Sequence, residues 1–157
     1  MALEKVIAYF DQLGLRDRVK VFDQSSATVE LAAQAVGCEP ARIAKTMSFL
    51  LGEQAILIVT AGDARIDNKK YKETFQQKAK MIPGELVESY VGHAPGGVCP
   101  FAIKADVPVY LDVSLKRFET VYPAAGSGNS AVKLHVHELE KYACASGWVD
   151  VCKNWEA

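Results

Sequence analysis

The sequence lacks nearly every signature that would assign it a cofactor or a charged catalytic group. No glycine-rich loop ends in Lys-Ser or Lys-Thr, no dinucleotide fingerprint follows an expected strand, and no helical His-Glu-x-x-His occurs. The common phosphate-loop, dinucleotide and zinc-hydrolase readings are thereby removed. Cys38, Cys99, Cys144 and Cys152 stand too far apart for paired zinc ligands and too sparsely for a disulfide framework, so free thiols in a reducing compartment are expected. No segment approaches the roughly 20 apolar residues of a membrane-spanning helix. The opening residues, MALEKVIAYFDQLGL, carry neither the basic head nor the unbroken apolar stretch of a secretory signal. A cytoplasmic address with no membrane partner follows as the expectation. The formal net charge is only −1, without the basic field of a general nucleic-acid binder, and no DNA partner is expected. Ser25, Ser26, Ser48, Ser127 and Ser130 are present, but none lies in a nucleophile elbow. His135 and His137 would share one strand face, yet two histidines without a third ligand make a poor metal site; neither metal nor cofactor is expected.

What the chain does contain is enough apolar surface for one core. Half of its 157 residues are apolar and 24% charged, which suits a single compact domain over residues 1–157. Val6, Ile7, Phe10 and Leu13 give the spacing of an amphipathic helix ending at Gly14. VKVF reads as a short strand, and TVELAAQAVG as a helix capped by Thr28, with Glu30 in its first turn and Gly37 closing it. KTMSFLLGEQAILIVTAG reads as a hairpin, with strands near 45–51 and 55–60. Asp67 should cap a helix over DNKKYKETF, and GELVESYVG should form another after Pro83. Strands are expected at PVYLD, ETVYP, AVKLHVH and WVDVC, with HELEKYACAS helical. This irregular mixture favours an α+β fold with a mixed sheet over a doubly wound parallel one.

Three features stand out against that frame. GHAPGGVCPF, residues 92–101, packs three glycines and two prolines into one loop. Glycine admits positive φ and close approach, and proline stiffens its neighbours, so the loop is either a tight structural turn or a cradle that aims peptide groups at a ligand. Lys45 falls on the strand face of Met47, Phe49 and Leu51, where its amine either snorkels outward or meets an anionic ligand at a pocket rim. From Arg65 to Lys80, six cations (Arg65, Lys69, Lys70, Lys72, Lys78, Lys80) against Asp67 and Glu73 leave +4, either a phosphate-facing patch or a solvated helix face.

The segments IAKT, LIVTAGDARIDNKK and GHAPGGVCPF followed by VPVYLD, in this order, resemble the YbaK / prolyl-tRNA-synthetase-associated domain family, which includes free-standing editing deacylases. The resemblance spans roughly residues 20–142. It implies one domain built on a mixed, largely antiparallel curved sheet flanked by helices. It also implies hydrolysis in trans of the ester of a mischarged tRNA, with an aminoacyl-tRNA synthetase as a candidate second partner. Lys45 would hold the tRNA 3′ end, with Thr46 beside it; Gly92, Gly96 and Gly97, with Pro95 and Val98, would supply the backbone around the ester. Phe22 would wall the pocket, and a late turn, AAGSGNSAV, would close it through Gly126 and Ser127. Relatives that remove cysteine from proline tRNA are expected to carry a serine and an acidic residue near that turn. Here Ala124 and Ala131 stand nearest, with Ser127 and Ser130 offset, so cysteine, alanine, serine and threonine all remain open as substrates. Cys99 reads as a bystander thiol and His93 as solvent-facing. The competing readings are a non-catalytic module for a tRNA end or an aminoacyl-nucleotide, and a regulator that binds a free amino acid.

Overall fold

The computed structural model describes residues 2–155; Met1, at the start of the expected first helix, and residues 156–157 lie outside them. Along the chain run α1 (Ala2–Gln12), β1 (Val19–Val21), α2 (Val29–Val36), β2 (Ile43–Leu51), β3 (Gln54–Ala61), β4 (Arg65–Ile66), α3 (Asn68–Phe75) and α4 (Gly84–Val91). After a long loop follow β5 (Val109–Asp112), β6 (Thr120–Pro123), β7 (Ser130–Val132), β8 (Leu134–His135), α5 (Val136–Tyr142), β9 (Gly147–Val149) and β10 (Cys152–Lys153). A six-stranded mixed sheet has the order β8-β6-β2-β3-β5-β9, and β1-β7 and β10-β4 form two separate two-stranded ribbons. The fold is α+β with a mixed sheet, as the sequence pattern leads one to expect.

The centre of the sheet is the hairpin. β2 and β3 pair antiparallel, with Lys45 opposite Thr60 and Thr46 opposite Val59, and all but the first residue of β3 is buried. A strand covered on both faces reads as a continuous apolar run, which explains why AILIVTA was legible. β6 joins β2 in parallel, setting Tyr122 opposite Ile43; β5 joins β3 and β9 joins β5, also in parallel. α1 buries Val6 and Phe10, and the Phe10 ring meets Phe101 edge-on at 4.9 Å. α2 is bounded as expected: the Thr28 hydroxyl accepts the Leu31 N–H at 3.1 Å, and Gly37 closes the helix at φ 84°.

Two expected strands break, each because the chain changes partners. AVKLHVH splits at Lys133: β7 pairs with β1, the Lys133 N–H donates to the Arg18 carbonyl, and β8 turns to pair with β6. Glu138, gripped by Arg18, accepts the His135 N–H at 2.9 Å and starts α5 one residue later. His135 and His137 therefore do not share a strand face; one precedes and one lies in a helix, with their rings stacked 5.6 Å apart. WVDVC splits at Asp150, because the buried Asp112 carboxylate accepts the Val151 N–H at 2.9 Å and redirects the chain onto β4.

Candidate functional site

A cavity of about 190 Å³ opens between α2, the first residues of β2, the end of β6, β7 and the loop 92–101. Val29, Ala32, Ile43, Val98, Ala124 and Ala131 give it apolar walls, and its polar groups come from Ser26, Thr28, Lys45, Thr46, Tyr122 and Ser130. Among the described residues, no carboxylate and no imidazole lines it. Its chemistry is therefore that of an ammonium, hydroxyls and peptide groups: it can hold an anion or ester and orient a water, but it offers no carboxylate or imidazole as a general base.

Lys45 and Thr46 bring contrasting polar groups to this wall. Among the described residues the Lys45 ammonium makes no hydrogen bond or ion pair. Burial draws its pKa below the ordinary lysine value; Arg65 adds to this, while Asp63 and Glu30 oppose it. Cys152 lies within its influence too, but burial, then the adjoining Asp112, hold that thiol protonated, so it supplies no countercharge at neutral pH. The cation is thus half-desolvated and unmatched, the condition in which an incoming anion gains most from it. The Thr46 hydroxyl is buried and has no partner among the described residues, a state that costs on the order of 1–3 kcal/mol unless a bound molecule satisfies it.

The loop reaches the cavity through Gly96 and Val98 only. Gly96 sits at φ 90°, a conformation that glycine adopts at little cost and residues with a side chain rarely adopt. Gly97 lies against the late turn so closely that an added Cβ would stand 2.6 Å from the Ser127 nitrogen. Gly92 caps α4 at φ 104°, and Pro95 packs toward Gly84; neither lines the cavity. Gly126, at φ 94°, sits against the backbone of Ala2 and Leu3. Ser127 is likewise behind the wall: its hydroxyl lies 2.7 Å from that of Ser130, which does line the cavity, and donates to Asn129 Oδ1 at 2.8 Å.

Phe22 is displaced from the expected position. It lines a neighbouring groove with Lys20, Val36 and Lys133, and that groove meets the cavity at Tyr122 and Ala131. Phe22 follows β1 and donates its N–H to the Asn129 carbonyl at 2.7 Å, which fixes its backbone beside the turn. The aromatic wall is Tyr122 instead, reached by the parallel pairing of β6 with β2. His93 is also not solvent-facing: it is wholly buried, with Nε2 2.7 Å from the Phe101 carbonyl and 3.6 Å from Cys99 Sγ. Cys99 is buried beside it, its pKa pushed up to about 12 by desolvation, which leaves an inert thiol.

Within the basic segment, Lys70 turns inward to Asp150 at 3.1 Å and to the Cys152 carbonyl at 3.0 Å. Arg65, Lys69, Lys72, Lys78 and Lys80 are exposed. Ser26, Val29, Ala32, Tyr122 and Ser130, which sequence reasoning missed as lining, come from three separate stretches of chain. The small residues on the inner face of α2 were the one available signal.

A family model described as an aminoacyl-tRNA editing domain matches residues 23–142. Protein YwhH of Bacillus subtilis, for which no activity is given, is 52% identical over 158 residues, covering 99% of this chain and all of that one. EbsC of Enterococcus faecalis, provisionally assigned as a Cys-tRNA(Pro)/Cys-tRNA(Cys) deacylase, is 24% identical over 115 residues, covering 72% of this chain and 70% of EbsC. A crystal structure described provisionally as a trans-editing enzyme for prolyl-tRNA synthetase superposes with a TM-score of 0.86 at 27% identity, covering 97% of each chain. Because the family match spans well over half of its length, this protein belongs to the aminoacyl-tRNA editing domain family.

Proposed function

We propose that the protein hydrolyses, in trans and without a metal, the ester joining a small noncognate amino acid to the 3′ end of a tRNA. The observation that carries this reading is the unmatched Lys45 ammonium at a cavity of about 190 Å³ that Gly96 and Val98 of the glycine loop also line. The ammonium would take the phosphate or ribose region of the terminal adenosine. The aminoacyl group would enter between Val29, Ala32, Ile43, Val98 and Ala131, with Thr46 and Ser130 meeting its polar atoms. A water positioned by backbone groups at Gly96 and Val98 would add to the acyl carbon; the bond to the ribose oxygen breaks, and that oxygen leaves with the proton. An aminoacyl ester is already activated, so fixed geometry and donors worth about 3 kcal/mol each on the developing oxyanion supply much of the acceleration. Exclusion of larger residues by the walls suits a second sieve, needed where one methylene discriminates by only about 1–3 kcal/mol.

The absence of carboxylate and imidazole from the lining favours one competing reading, a module that binds the tRNA end without turnover. A panel of tRNAs charged with alanine, serine, threonine or cysteine as noncognate residues separates the two. Ester loss well above the spontaneous rate for at least one member is the expected result. Binding of every member without faster hydrolysis would establish the module instead. The tRNA body is assigned to Arg65, Lys69, Lys72, Lys78 and Lys80, so affinity should fall as salt rises.

A further inference from the structure

Residues 93 and 101 stand at the two ends of the glycine loop, and a side chain joins them. His93 is wholly buried, its Nε2 is 2.7 Å from the Phe101 carbonyl oxygen, and Cys99 Sγ lies 3.6 Å from the same nitrogen. A carbonyl only accepts, so Nε2 carries the hydrogen, and Nδ1 of the neutral ring is a bare lone pair. That Nδ1 is buried and has no hydrogen-bond partner among the described residues. Phe101 is itself fixed, 1% exposed and packed on the rings of Phe10 and Tyr9 of α1. The clamp therefore ties the start of the loop to an anchored point in the core, and the loop between them is the stretch whose Gly96 and Val98 reach the cavity.

We infer that the neutral imidazole of His93 is a positioning residue that holds the loop's peptide groups in place, and that a proton on its Nδ1 releases them. This rests on the deacylase reading for its activity readout but not for its structural one. A protonated ring would bury a second N–H where nothing accepts it, at the cost of an unpaired charge. The groups acting on the ring agree: burial lowers its pKa from the ordinary 6.5, and the Lys5 cation of α1 lowers it further, while the Phe101 carbonyl opposes them. Cys99, the other titratable group in contact, stays a neutral thiol and offers no compensating charge. Because the closed state's pKa is depressed, its stability is whole above 6.5 and drains away as pH falls toward the lowered value.

The test compares wild type, His93→Gln and His93→Leu between about pH 5 and 8, by kcat and KM on a misacylated tRNA after subtraction of spontaneous hydrolysis. Gln can donate its amide N–H to the Phe101 carbonyl and cannot be protonated in this range; Leu fills the space without the bond. The wild-type kcat should fall about tenfold per pH unit below the imidazole's own midpoint, with KM changing much less. His93→Gln should recover at least about a third of kcat at neutral pH and lose the acid limb, while His93→Leu should lose about 30-fold in kcat across the range. The ring midpoint, read from the NMR titration of His93 in wild type, should lie below 6.5 and coincide with the acid limb. An acid limb that persists in His93→Gln, or an unimpaired His93→Leu, overturns the inference. If no ester is turned over at all, the deacylase reading fails and the clamp is still decided by amide hydrogen exchange of the loop. Exchange should be slow in wild type and His93→Gln but fast in His93→Leu; equal exchange in all three overturns it.

Discussion

Residues 92–101 and residues 124–130 press together at Gly97 and Ser127, yet they are fixed by different means. The first is held from behind by buried groups, His93, Cys99 and Phe101, packed on α1. The second is held by a polar net: Ser127 to Ser130 and Asn129, and Asn129 Nδ2 to the Phe22 carbonyl at 3.1 Å. A hydrogen bond sealed in buried packing, as between His93 and Phe101, gives a stiff support that is insensitive to salt, whereas each bond of the partly exposed net contributes a net of only about 1 kcal/mol. Rigidity is thus concentrated on the side where the proposed backbone donors lie. Adaptability lies on the side that, through Ser130, faces the amino acid. The arrangement predicts that changes to the loop damage rate, and changes to the turn shift selectivity.

Among changes to these two segments, the seam between them gives the largest expected effect. Gly97→Ala would place a methyl 2.6 Å from the Ser127 nitrogen, so one of the two segments must move. Overpacking of this kind costs about 1–3 kcal/mol of stability, and a displacement near 1 Å at the loop should cut kcat/KM by about 100-fold. Thermal melting and deacylation kinetics check both, and an unchanged kcat/KM would show that the loop is not the rate-setting support. Asn129→Ala sharpens the same comparison from the other side. Loss of its bonds to Phe22 and Ser127 should cost about 1 kcal/mol in a melt and leave kcat on the best substrate within about threefold. The ratio of serine to alanine release should change, because Ser130 loses its backing. A larger loss of rate than in Gly97→Ala would reverse the assignment.

Much of this was legible because it is local. Thr28 and Gly37 mark α2, the two apolar runs around Gly52 mark the hairpin, and Lys45 betrays itself by its company on the strand. What was hidden depends on contacts between distant residues. The break at Lys133 follows from pairing of Val19 with Val132, and the choice of Tyr122 over Phe22 as the aromatic wall follows from the register of β6 on β2. His93 looked solvent-facing because a histidine in a glycine-proline loop carries no sign of burial; its carbonyl partner, Phe101, is fixed by packing on Phe10, which lies far back along the chain in α1. The basic segment shows the same limit, since nothing in DNKKYKETF says that Lys70 alone turns inward to Asp150.

Lys45 and Lys70 supply the most direct test of the central claim, that a desolvated, unmatched cation grips the tRNA terminus. Lys70 is already satisfied by Asp150 and the Cys152 carbonyl, whereas Lys45 makes no such bond among the described residues. Single-turnover hydrolysis of the preferred misacylated tRNA should fall by at least about 100-fold in Lys45→Ala with an unchanged melt, and by less than about threefold in Lys70→Ala. Equal rates for Lys45→Ala and wild type, with the fold intact, would contradict the account.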